Sequence, residues 1–130
     1  MADQSTKKRI AIFGSTGSIG TQALEVIRAN PDLFEVEILT AQTNDELLIT
    51  QALEFRPNAV VIGDESRYQK LKEALSSTDI KVFAGEDALV EVADFDTYDM
   101  MIAGIVGFAG LKPTLKAVEK GKAVGLANKE

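Results

Sequence analysis

The chain of 130 residues contains no cysteine and no histidine. The first absence excludes a disulfide framework and thiolate chemistry. The second removes the commonest general base and metal ligand, so few catalytic options remain within the chain. No apolar run is long enough to span a bilayer, and Met1 to Thr6 lacks the apolar core of a signal peptide; a cytoplasmic protein with no membrane partner is the expectation. Positive charge is scarce too. The formal net charge is −6, where a nucleic-acid binder would show a basic face, so no nucleic-acid partner is expected. The deficit is uneven: residues 30–99 hold 16 acids and 5 bases, the remainder 4 acids and 9 bases. Both ends therefore carry the positive field that a phosphate-bearing ligand would meet.

What is present is enough for one domain over residues 1–130, since a composition of 45% apolar and 26% charged residues can bury a core. Apolar runs at about 9–13, 36–41, 59–62, 80–84, 98–103 and 123–126 read as six strands. Between them lie helical patterns. Ile19, Ala23, Val26 and Ile27 recur at helical spacing before Asn30-Pro31. Thr43-Asn44-Asp45-Glu46 has capping-box spacing with Thr43 as N-cap, ahead of Leu48, Ala52 and Phe55. Asp64 is placed to cap a helix bearing Tyr68, Leu71 and Leu75, an acidic helix runs from about 87 to 93, and Pro113 opens a helix bearing Leu111, Leu115 and Val118 that Gly121 stops. Strands alternating with helices over short connections predict an α/β fold: a doubly wound parallel sheet, Rossmann-like, in three α/β/α layers.

The glycines punctuate that pattern twice with the same spacing, Gly14/Gly17/Gly20 after the first strand and Gly104/Gly107/Gly110 after the fifth. Both turns should lie on the carboxyl edge of the sheet, where open α/β folds bind ligands. In the first, a buried strand enters and an amphipathic helix leaves, so the amides of Thr16, Gly17, Ser18 and Ile19 can meet a pyrophosphate at a helix N-terminus. Gly17 gives the ligand close access, Gly20 lets helix and strand pack, and Ser15, Thr16 and Ser18 add hydroxyls. No Gly-Lys-Ser/Thr comes after it, which excludes a P-loop. After the second strand Leu39-Thr40-Ala41 offers no acid for ribose hydroxyls, which favours NADP over NAD. Gln42, Thr43 and Asn44 can donate to a 2′-phosphate, although no Arg or Lys stands with them and Asp45 and Glu46 would repel it. The second glycine turn can pass beside a nicotinamide, with Ile105, Val106 and Phe108 as apolar contacts, but helix–strand packing explains its glycines nearly as well; Asn128-Lys129-Glu130 is a polar cluster just past a strand end, a site candidate or an ordinary charged terminus.

Three segments in this order, Gly14-Ser-Thr-Gly-Ser-Ile-Gly20, Ala109-Gly-Leu-Lys-Pro-Thr-Leu115 and Leu126-Ala-Asn-Lys-Glu130, resemble the N-terminal NADPH-binding domain of the 1-deoxy-D-xylulose 5-phosphate reductoisomerase family, over about residues 7–130. The resemblance implies an enzyme that rearranges and reduces a sugar phosphate to 2-C-methyl-D-erythritol 4-phosphate in the non-mevalonate isoprenoid route. It implies NADPH, a divalent metal (magnesium or manganese), and a homodimer. It implies cofactor contacts from Thr16, Gly17, Ser18 and Ile19 to the phosphates, from Gln42, Thr43 and Asn44 to the adenosine ribose and its 2′-phosphate, and from Asn128 and Glu130. Lys129 would reach the substrate. The sequence departs from the family at Gln42-Thr43, where glycine followed by a basic or small polar residue is more usual. The family's acidic metal ligands, its lid with a histidine and its C-terminal helical domain fall beyond residue 130, so no catalytic residue or metal ligand is expected within this chain, which should bind cofactor without turnover. A different class stays open beside this reading: a stand-alone nucleotide-binding or redox-sensing module. So does another dehydrogenase with a similar glycine turn.

Overall fold

A computed structural model describes residues 7–104, 113 and 116–126. The described elements are, in order, β1 (Lys8–Phe13), α1 (Ser18–Ala29), β2 (Phe34–Ala41), α2 (Asp45–Phe55), β3 (Ala59–Ile62), a 3₁₀ turn (Glu65–Arg67) running into α3 (Tyr68–Ala74), β4 (Lys81–Ala84), α4 (Glu86–Ala93), β5 (Met100–Ala103) and β6 (Ala123–Leu126). Residues 116–119 are helical between the last two strands. The six strands form one parallel sheet in the order β4-β3-β2-β1-β5-β6. The chain winds outward from β1 to β4 and then returns to β1's other side, so the order reverses between β1 and β5. This is the expected doubly wound, Rossmann-like sheet.

Side-chain alternation separates two cores. Ile10, Ile12, Leu39, Val60 and Ile62 pack with Leu24 and Ile27 of α1, Leu48 and Ala52 of α2 and Leu71 of α3. On the other face Ala11, Phe13, Ile38, Val61 and Met101 meet Leu89 and Val92 of α4 and Ala117. Both faces are covered, as near-continuous apolar strands require.

Three sequence expectations are corrected by packing. Val26 is 55% exposed, and the buried stripe of α1 is Gly20, Leu24 and Ile27. Val118 is 58% exposed while Ala117 and Pro113 are buried, so the inward face of that segment is displaced by one residue; Leu111 and Leu115 lie outside the described residues. Thr43 is not the N-cap of α2. Asn44 is, its Oδ1 accepting from the Leu47 amide at 3.1 Å, and asparagine's carbonyl is a better cap acceptor than a threonine hydroxyl. Other signals hold. Asp64 accepts from Ser66 N at 3.0 Å, and Gly121 (φ +78°) ends the last helical segment with bonds from Gly121 N to Val118 O (3.0 Å) and Lys122 N to Ala117 O (3.0 Å), the paired bonds of a Schellman stop.

Candidate functional site

Parallel pairing brings the residues just past β1 to β5 to a single edge. Phe13 pairs with Thr40 and Ala103, Ala41 with Ile62, and Ile62 with Ala84. The first glycine turn therefore lies beside the start of the second: Gly104 N donates to Phe13 O at 2.7 Å, and a Cβ on Gly104 would come within 3.2 Å of Phe13 O and 3.8 Å of Ile19 Cβ. The rest of the second turn, with Ile105, Val106 and Phe108, is outside the described residues, as are Asn128, Lys129 and Glu130.

Each glycine of the first turn has its own reason. Gly14 has φ +90°, a left-handed backbone that costs little only without a Cβ. A Cβ on Gly20 would run into Gly14 O and lie 2.5 Å from Ser15 Cα, backbone atoms that cannot swing aside. Gly17 differs. Its φ is −83°, and a Cβ there would meet nothing among the described residues closer than Gly14 O at 3.6 Å, an ordinary contact. Neither strain nor crowding from the described residues requires glycine at position 17.

Gly17 is the N-cap of α1, and its amide closes the turn onto Gly14 O at 3.2 Å. The amides of Thr16, Ser18, Ile19 and Gly20 have no acceptor among the described residues. The first turn of α1 carries no acid, whereas α2 opens with Asp45 and Glu46 and α4 with Glu86 and Asp87. Open donors at the positive end of an uncountered helix dipole suit an anion.

The turn is anchored from beneath. Thr40 takes Gly14 N on its carbonyl (3.1 Å) and Oγ1 (3.0 Å), and Ser15 N on its carbonyl (2.8 Å). From α2, Gln51 Oε1 accepts from Ser15 Oγ at 2.7 Å and Gln51 Nε2 donates to Ser15 O at 3.0 Å. Ser15 is fully buried by this pairing, which corrects the expectation that its hydroxyl is offered to a ligand.

Gln42, Thr43 and Asn44 are exposed at the same edge. Gln42 lies over Gly63, where a Cβ would sit 2.6 Å from its Oε1. With Thr43, Asp64, Ser66 and Glu86 they border a depression of about 630 Å³. Asp45, expected to repel a phosphate, is buried beneath Arg67 (3.4 Å) and Lys70 (3.5 Å). Burial alone would raise its pKa, but Lys70 and Arg67 outweigh that and hold the carboxyl below its ordinary value. Lys70 also reaches Glu46 at 3.5 Å, and Arg67 reaches Asp64 at 3.2 Å. These two cations are what inspection of residues 42–46 alone missed. The signal that could have found them is the third βα unit: its strand pairs with β2, so the turn that Asp64 caps must bring Arg67 back over the start of α2.

Among the described residues no three Asp, Glu, His or Cys side chains gather as a cation site, and no helix is long and apolar enough to cross a membrane. A second depression, about 510 Å³, lies at the opposite edge between Glu35, Glu37, Arg56, Asn58 and Asp79, away from the first glycine turn.

Known proteins place this edge in context. The chain is 56% identical to 1-deoxy-D-xylulose 5-phosphate reductoisomerase of Phocaeicola vulgatus over 124 residues, 95% of this chain and 32% of the relative. Among solved structures, the reductoisomerase of Zymomonas mobilis in complex with NADPH superposes with a TM-score of 0.90 at 43% identity, over 95% of this chain and 32% of the other. A DOX-P reductoisomerase in complex with NADPH, fosmidomycin and magnesium gives 0.88 at 34%, over 93% and 30%. The chain thus spans about a third of the length of the relatives it matches. The family model described as 1-deoxy-D-xylulose 5-phosphate reductoisomerase matches residues 10–130. With fold, glycine turn and sequence in agreement, this chain belongs to the 1-deoxy-D-xylulose 5-phosphate reductoisomerase family.

Proposed function

We propose that this chain is the NADPH-binding domain, residues 1–130, of a reductoisomerase that isomerises and reduces 1-deoxy-D-xylulose 5-phosphate to 2-C-methyl-D-erythritol 4-phosphate. The observation that carries the reading is Gly17: a glycine that the fold does not need stands where α1 opens unpaired amides. A side chain there would fill space that the chain leaves open, and a dinucleotide pyrophosphate has the charge and acceptors to occupy it. Thr16, Gly17, Ser18 and Ile19 hold the phosphates on this reading. Gln42, Thr43 and Asn44 receive the adenosine ribose and its 2′-phosphate, with the negative charge of Asp45 already balanced by Arg67 and Lys70. Asn128 and Glu130 complete the cofactor contacts and Lys129 meets the sugar phosphate.

NADPH supplies the reductant; this chain's residues bind and orient it. The divalent metal and the acid/base groups are assigned to the part of the family's length that this chain does not span. A cytoplasmic homodimer is the assembly proposed for the whole protein.

Calorimetric titration of this chain with NADPH tests the reading. Binding is expected for the wild type, and Gly17→Val should weaken it at least tenfold, about 1.4 kcal/mol, while the melting temperature stays close to wild type. Equal affinity of the two proteins would place the cofactor elsewhere.

A further inference from the structure

Gln51 is 5% exposed and Ser15 fully buried, and each satisfies the other. The amide of Gln51 uses its acceptor for the Ser15 hydroxyl (2.7 Å) and a donor for the Ser15 carbonyl (3.0 Å). The second bond bears on the ligand side of the loop. A trans peptide is planar, with its C=O and N–H pointing in opposite directions. A Ser15 carbonyl held toward Gln51 therefore turns the Thr16 N–H away from α2, and that amide has no acceptor among the described residues. Without Gln51, the buried hydroxyl and carbonyl of Ser15 would both lack partners. Such groups are costly, and the loop can relieve them by rotating the 15–16 peptide toward water, which redirects the Thr16 amide.

We propose that Gln51 is a positioning residue for the cofactor loop, fixing the direction of the Thr16 amide through Ser15 and so raising dinucleotide affinity without touching the ligand. It rests on the NADPH reading above. Gln51 would also link the two ends of the cofactor, because α2, which carries it, is capped by Asn44, one of the residues assigned to the adenosine ribose.

Two measurements on the full chain test it. In the absence of ligand, Gln51→Met, which keeps the volume but loses both bonds, should speed amide hydrogen exchange of Ser15 and Gly17 at least tenfold relative to the amides of β4. In titration with NADPH the same variant should bind about tenfold more weakly, and Ser15→Ala, which keeps the bond to the carbonyl, by a smaller factor. Leu48→Val is the comparison: buried on the same helix, it should lower the melting temperature without moving either readout. If Gln51→Met behaves as Leu48→Val does, in loop exchange and in affinity alike, the proposal is overturned. A wild-type chain that fails to bind NADPH would sink the functional reading, and the exchange data would still decide whether Gln51 orders the loop.

Discussion

At the scale of single residues, one spacing motif conceals three unlike demands. Gly14 answers to a positive φ, Gly20 to the backbone of Gly14 and Ser15, and Gly17 to neither. Gly20→Ala should therefore cost at least about 2 kcal/mol, since the methyl would press on backbone rather than on a yielding side chain. A fall in the urea midpoint would show it, and an unchanged midpoint would mean that the loop gives way freely. The G-x-x-G-x-x-G pattern announced the turn, because spacing is a property of sequence. Which glycine serves the fold and which is spare depends on φ and on neighbours that only the folded chain brings close. Ser15 illustrates the same limit: a serine in a glycine turn reads as a phosphate donor, and its partner Gln51 lies 36 residues away.

At the scale of elements, the strands were readable as apolar runs and their parallel pairing as a consequence of the alternation with helices, but β2 holds a feature that no periodicity announces. Ile10 pairs with Val36 and Ala11 with Ile38, so Glu37 is an extra residue, a β-bulge. The bulge reverses the facing of the later part of β2: Val36 and Leu39 join the core under α1 to α3, while Ile38 turns to the core under α4. It also leaves Glu37 partly buried, where desolvation pushes its carboxyl above the ordinary carboxylate value although Thr97 and Arg9 beside it pull the other way. An acid whose pKa is raised by folding adds stability below the unfolded value, and that contribution disappears as pH rises through the folded value. Glu37→Gln should thus be more stable than wild type at pH 7, with the advantage vanishing below about pH 3.5, where the carboxyl is protonated in both states. Thermal melts across that range check it, and a constant difference would contradict the burial account. The N-cap shows a smaller limit: Thr43 and Asn44 are adjacent cap formers, and choosing between them required knowing where β2 ends.

At the scale of the whole molecule, the fold gathers on one edge what the sequence spreads across most of its length. The first glycine turn, the start of the second, the start of α2 and the cations of the third βα unit share the carboxyl edge, while Glu35, Asn58 and Asp79 line a depression at the amino edge. The charge asymmetry along the sequence hinted at a positive site, but the cations beside the start of α2, Arg67 and Lys70, come from the acidic middle of the chain. Only strand pairing brings them there. The carboxyl edge is proposed as a dinucleotide site. Its most direct test is a map of amide chemical-shift changes as NADPH is added to the isotopically labelled chain. Saturable shifts centred on Thr16 to Ile19 and on Gln42 to Asn44 are expected, with Glu35, Asn58 and Asp79 undisturbed. Shifts centred on the amino edge, or none at millimolar cofactor, would contradict it.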